Sequence, residues 1–247
     1  HEINPDCYAS LNDFFADTVK KYRDRPALYH MGRTMTYEEL DKHVSHFAAY
    51  LQVHLGLKKG DRFGIMLPNV IQYFIAIFGA LKAGLTVVNI NPLYTPREFS
   101  HQIEDAEVKA VLVLANFLHT VHEALPVTHL KHVIVTEVGD MLSSAKSYII
   151  NFAARRESKL TKEDEIPDAI PFKTALKKGK SAKLKAVEVG KNDIAFLQYT
   201  GGKTGVSKGA MLSHRNIIAN LEQSFAWMAS GISEDNASQE VAVTALP

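Results

Sequence analysis

Eleven consecutive residues, Tyr199-Thr200-Gly201-Gly202-Lys203-Thr204-Gly205-Val206-Ser207-Lys208-Gly209, contain four glycines, three Ser/Thr hydroxyls and two lysines. Such a run is poor material for a core and good material for holding phosphate. Glycines let backbone N–H groups turn inward with no Cβ in the way, hydroxyls donate further hydrogen bonds, and a lysine neutralises charge. The flanks differ in character. Ile194-Ala195-Phe196-Leu197-Gln198 is an apolar run of the length of a buried strand, and Ala210-Met211-Leu212-Ser213 reads as a second strand before a helix opening at His214-Arg215-Asn216.

Gly202-Lys203-Thr204 has the ending of a Walker-type loop. That loop also needs a glycine five residues before Gly202, where Leu197 stands, and a helix rather than a strand behind it. The stretch instead resembles the phosphate-binding loop of the adenylate-forming, acyl-activating enzymes, with Thr200, Gly201, Gly202, Thr204, Gly205, Lys208 and Gly209 on the pattern. Lys203 departs from it, standing where the family carries a hydroxyl residue. The likeness continues through Ala210-Met211-Leu212-Ser213-His214-Arg215-Asn216. It also covers Glu2-Ile3-Asn4-Pro5-Asp6, Asn89-Ile90-Asn91-Pro92-Leu93-Tyr94-Thr95-Pro96-Arg97-Glu98 and Val243-Thr244-Ala245-Leu246-Pro247, and is greatest to bacterial long-chain fatty-acyl-CoA ligases.

That resemblance implies two half-reactions. A carboxylate attacks the α-phosphate of ATP to give acyl-adenylate and pyrophosphate, and the coenzyme A thiol then displaces AMP. Positioning and charge neutralisation carry most of such a transfer. On this expectation ATP occupies the whole of 199–209: the backbone of Gly201, Gly202 and Gly205 cradles the β- and γ-phosphates, Thr200 and Thr204 donate hydroxyls, and Lys208 supplies charge. Tyr199, Val206, Ser207 and Gly209 complete the segment. Magnesium is expected with ATP, without a protein ligand to name and with no catalytic residue assigned. Lys203 reads either as a natural variant or as a substitution that lowers turnover. Two other readings stay open: a ligase for another carboxylic acid, and a nucleotide-binding module without chemistry.

The family pattern continues with an adenine-binding loop, a ribose-binding aspartate and a small mobile C-terminal domain carrying a catalytic lysine. None of these motifs occurs here, so the expectation is that 1–247 is an incomplete N-terminal AMP-binding domain, inactive alone. Within it, 138–190 reads as a charged surface insertion and 191–247 as the phosphate-loop segment.

Composition is that of an ordinary globular protein with ample core material. The 247 residues are 46% hydrophobic and 22% charged with a net charge of +1, which gives no argument for nucleic acid as a partner. The single cysteine, Cys7, cannot form an intrachain disulfide, which suits a cytoplasmic protein. Residues 63–81 are uncharged and close to bilayer length, but Pro68-Asn69 divides them into strand, turn and buried helix. No signal-peptide pattern opens the chain.

The surrounding elements alternate. A helix follows Ser10, a hairpin turns on Gly32, and capping boxes at Thr36/Glu39 and Thr95/Glu98 start two further helices. Strands are expected at 62–67, 86–89, 110–114, 132–136 and 240–246, with helices at 70–83 and 117–124. Tyr73, Phe74 and Phe78, at helical spacing, read as core, and His101, His119, His122, His129 and His132 share no trustworthy metal-ligand spacing. This order predicts an α/β fold, a parallel-rich sheet with helices on both faces. Ligands of such sheets bind beyond the carboxyl ends of the strands, where the loop at Thr200 falls. The first turn of the helix after Ser213 is expected near that loop, adding its dipole; His214 and Arg215 read as structural. Residues 148–156 are apolar and then cationic, and six lysines lie in 173–185. The plain reading is solvated charge; the sharper one is peripheral contact with the inner face of the cell membrane. Oligomeric state is not legible.

Overall fold

The computed structural model describes residues 3–157, 166–200, 207–229 and 242–244. Ser10 caps α1 (Leu11–Tyr22), its hydroxyl accepting the Asp13 N–H. β1 (Pro26–His30) and β2 (Arg33–Thr36) form a separate antiparallel hairpin turning through Met31 and Gly32. The Thr36/Glu39 box opens α2 (Tyr37–Val53), and β3 (Arg62–Met66), α3 (Ile71–Lys82) and β4 (Thr86–Asn89) follow. The Thr95/Glu98 box with Pro96 opens α4 (Pro96–Asp105), before β5 (Val108–Leu114), α5 (Leu118–Ala124) and β6 (His132–Thr136). Beyond them lie α6 (Ser144–Glu157), β7 (Ile170–Pro171), α7 (Phe172–Lys180), β8 (Ile194–Thr200), β9 (Lys208–Ser213) and α8 (His214–Ala229).

Among the described residues, seven strands form one sheet in the order β7-β6-β5-β3-β4-β8-β9, parallel throughout except for β9. Side-chain alternation in β5 divides the core between the faces. Ala110, Leu112 and Leu114 join Phe47, Phe63 and Phe172 under α2, α3 and α7, while Val111 and Val113 join Phe99 and Ile103 of α4 and Val121 of α5. Tyr73, Phe74 and Phe78 pack against the first of these layers, Phe78 stacking on Phe15 at 4.2 Å.

Two expectations change. Residues 138–190 are more than a surface insertion: β7 pairs with β6, and α7 packs on α2 with Phe172 at 0% exposure. The lysines of α7 occupy one side of the helix and Phe172, Ala175, Leu176 and Gly179 the other, so charge count conceals a core face. The acidic run Glu163-Asp164-Glu165 lies outside the described residues. The strand expected at 240–246 is not formed at 242–244, where the chain has neither helix nor ladder and the Thr244 carbonyl accepts from Asn69; the rest of that stretch also lies outside the described residues.

His214 ties the last helix to the first. It is 2% exposed, and its Nδ1 accepts the Leu11 N–H at 3.1 Å, which leaves the ring proton on Nε2. Burial pulls its pKa below the ordinary histidine value, and nearby Lys59 adds to this, against the opposing charges of Asp193 and Asp13.

A Cβ on Gly179 would run into the His46 carbonyl of α2, so Gly179→Ala should lower stability by about 1–3 kcal/mol in urea unfolding. The unfolded chain takes up a proton at His214 near pH ~6.5 while the folded chain does not. The stability that neutral His214 contributes is therefore complete above that pH and lost as pH falls towards its lower folded value. His214→Gln keeps an acceptor for Leu11 but cannot titrate, and should reduce the loss of Tm on acidification. Burial also lowers His30, His43, His46 and His132, so a residual slope remains.

Candidate functional site

β8 lies beside β4 with Val87 opposite Phe196 and Asn89 opposite Gln198. The chain then returns antiparallel as β9, pairing Tyr199 with Gly209 and Thr200 with Lys208. The Ser207 hydroxyl donates to the Thr200 carbonyl at 3.1 Å and ties the two arms together. The hairpin therefore opens at the carboxyl edge of the parallel strands, the edge at which such sheets bind ligands. Thr200 and Lys208 are exposed there as direct cross-strand neighbours, a hydroxyl donor beside an ammonium. Gly201, Gly202, Lys203, Thr204, Gly205 and Val206 lie outside the described residues.

Tyr199 and Gly209 have a local role that the motif conceals. Tyr199 is 9% exposed and packs in the α4–α5 layer, its hydroxyl donated to Asp105 at the end of α4. Burial first, and then the hydrogen bond to Asp105, raise its pKa well above that of a free phenol. The ring lies across Gly209: a Cβ there would stand 2.8 Å from Tyr199 Cε2. Glycine is required at 209 so that the aromatic ring can cover the strand. The Tyr199 phenol therefore serves the core.

The preceding residue is held from the other side. Asn89 Nδ2 donates to Gln198 Oε1 at 3.0 Å, Tyr73 donates its hydroxyl to Asn89 Oδ1 at 3.2 Å, and Gln102 Nε2 donates to the Asn89 carbonyl at 2.8 Å. The sequence pattern places none of Asp105, Gln198 or Tyr73 at the site, and Asn89 enters it only as the end of the strand at 86–89 and through the family resemblance. The available signal was the acidic end of α4, where Glu104 and Asp105 oppose the helix dipole.

The first turn of α8 is not near this loop. β9 carries the chain back along β8, so that Ser213 pairs with Ile194 and α8 begins at the opposite edge, about 20 Å away along the strand. Arg215 and Lys191 bind Asp6 there and hold its carboxyl down to about 2. A cavity of about 380 Å³ also opens towards that edge, between Gly60, Thr86, Asp193 and His214, away from the hairpin mouth. His129 pairs with Glu104 and His119 with Glu123. Among the described residues no group of three or more His, Cys, Asp or Glu has the arrangement of a metal site, and no helix is long and apolar enough to cross a membrane.

A family model described as AMP-binding enzyme matches residues 15–247. The whole chain aligns at 48% identity with a long-chain-fatty-acid–CoA ligase of Escherichia coli, covering 43% of that protein. The Bacillus subtilis protein of the same name is 33% identical over 89% of the chain and 39% of its own length. The chain thus spans less than half of the curated relatives it matches. Among solved structures, a long-chain-fatty-acid-CoA ligase from Archaeoglobus fulgidus superposes with a TM-score of 0.70 at 24% identity, over 94% of this chain and 41% of that one. An anthranilate CoA ligase in complex with anthranoyl-AMP gives 0.69 at 20% identity, over 84% and 35%. These two show the same fold, and the family match over most of the chain agrees with a glycine-rich hairpin at the carboxyl edge of a parallel sheet: the chain belongs to the AMP-binding enzyme family.

Proposed function

We propose that this chain is the N-terminal portion of the AMP-binding domain of a long-chain fatty-acid–CoA ligase, which forms acyl-adenylate from ATP and a fatty acid and passes the acyl group to coenzyme A. The observation that carries the reading is the hairpin of β8 and β9, anchored in the sheet with Thr200 and Lys208 paired at its mouth. In this reading the Thr200 hydroxyl and Lys208 ammonium bind the ATP phosphates, with the backbone of Gly201, Gly202 and Gly205 and the Thr204 hydroxyl between them. Magnesium suits a site of this kind when most of its ligands are phosphate oxygens and water; bound with ATP, it would neutralise phosphate charge. Met211 and Phe225, exposed on β9 and α8, belong to the surface that the remainder of the domain covers.

Fatty-acid-dependent ATP–pyrophosphate exchange on the complete protein tests this. Exchange that requires a long-chain acid supports the proposal. Exchange with short or aromatic acids instead makes it a ligase for another acid, and ATP binding without exchange makes it a nucleotide-binding module. Lys203→Thr puts a compact hydroxyl in place of a second cation, and should raise the exchange rate roughly tenfold; an unchanged rate would remove Lys203 from the chemistry.

A contact with anionic membrane surface is part of the same proposal. Ser147 and Asn151 turn one face of α6 inward, which leaves Tyr148 (75% exposed), Ile149 and Phe152 (61%) outward between Lys146 and Arg156. Arg155 and Lys173 are engaged by Glu137 and Asp140, so Lys146, Arg156 and the outer lysines of 177–185 supply the attraction. The complete protein should sediment with phosphatidylglycerol vesicles and much less with phosphatidylcholine vesicles. Replacing Tyr148, Ile149 and Phe152 together by serine should abolish that difference; retained binding would assign it to another surface.

A further inference from the structure

The arms of the hairpin are fixed by side chains as well as by the ladder, and the fixing comes from both faces of the sheet. On one face Gln198 is held by Asn89, itself held by Tyr73 of α3. On the other, Tyr199 lies across Gly209 and reaches Asp105 of α4. These are the last residues before Thr200 and the residue paired across from them, so both strands are gripped one rung below the Thr200–Lys208 pair.

The Asp105 contact has an independent mark of purpose. α4 carries no basic residue in its last turn, and its final residue is an exposed carboxylate at the negative end of the helix dipole. Glu104, next to it, is matched by the His129 N–H and ring. Asp105 is matched by the Tyr199 hydroxyl. A phenylalanine at 199 would fill the same volume and need no acceptor, so the hydroxyl–carboxylate bond adds a fixed end point to a ring that already packs over Gly209.

We propose that Asp105 is a positioning residue for nucleotide binding: through the Tyr199 hydroxyl it fixes the ring over Gly209 and thereby sets the spacing and height of Thr200 and Lys208. The proposal rests on the phosphate-loop reading given above. Asp105 touches no substrate, and its effect is expected on ATP affinity rather than on the chemical step.

The test uses the complete protein, with ATP–pyrophosphate exchange measured over a range of ATP concentrations. Asp105→Ala should raise the KM for ATP about fivefold with kcat within about twofold, as expected for losing one half-exposed hydrogen bond. Asp105→Asn keeps an acceptor oxygen and should recover most of the loss. Tyr199→Phe should reproduce the alanine effect, and adding Asp105→Ala to it should change nothing further. Gly209→Ala, which displaces the ring directly, should raise the same KM. Amide hydrogen exchange of residues 195–200 provides a readout that needs no nucleotide, and should accelerate in Asp105→Ala and not in Asp105→Asn.

Equal effects of the alanine and asparagine variants, additivity with Tyr199→Phe, or an unchanged KM with unchanged amide exchange would each overturn the proposal. An unmodified protein that neither binds ATP nor exchanges pyrophosphate would overturn the phosphate-loop reading. Amide exchange at 195–200 would still decide whether Asp105 holds the strand.

Discussion

The pairing of β8 with β4 is the interaction on which the site depends. A two-stranded hairpin is at best marginally stable alone in water, and β8 with β9 is such a hairpin unless something holds one side of it. The sheet does so from end to end. Thr86 Oγ1 donates to the Ile194 carbonyl at 2.9 Å where β8 begins, the backbone ladder runs from Val87 to Asn89, and Asn89 Nδ2 meets Gln198 where it ends. β8 is thereby locked in direction as well as place, and its carboxyl end must fall on the ligand side of the sheet. β9 then returns the chain along the sheet edge with half of its residues exposed, bringing Lys208 opposite Thr200 and Gly209 under the Tyr199 ring.

Elements specified by neighbouring residues were legible. The boxes at Thr36/Glu39 and Thr95/Glu98 are complete within four residues and fix their helix starts wherever the helices pack. The apolar runs of β3, β5 and β6 could be recognised because burial on both faces leaves no polar alternation to confuse them. Direction was harder. The helix after Ser213 follows the glycine-rich loop closely in sequence, but the antiparallel register of β8 and β9 sends it to the far edge. Nothing within 194–216 alone states that the two strands pair.

The same limit applies to 170–180. Lys173, Lys177, Lys178 and Lys180 make the stretch read as cationic surface, although the buried Phe172, Ala175, Leu176 and Gly179 equal them in number. The packing partners, above all α2 more than a hundred residues earlier in the chain, show that this face is core. The motif at 199–209 posed a subtler difficulty. A glycine-rich run assigns every glycine to the ligand, yet Gly209 is needed because an aromatic ring crosses it. A pattern records which residues are required and not why each is.

Asp105 shows how such reasons can be ranked. A carboxylate at a helix C-terminus is unfavourable by about 0.3–1 kcal/mol at an exposed position. A hydrogen bond to a charged group contributes about 1.5–3 kcal/mol when well sheltered, and less where one partner is open to water. With Tyr199 buried and Asp105 exposed, the two effects nearly offset, so the pair adds little to global stability. A buried tyrosine hydroxyl left without an acceptor, by contrast, costs about 1–3 kcal/mol, and the ring avoids that penalty only by remaining within reach of α4. The contact therefore acts on geometry more than on stability: it penalises displacement of the strand end while contributing almost nothing to the folding free energy.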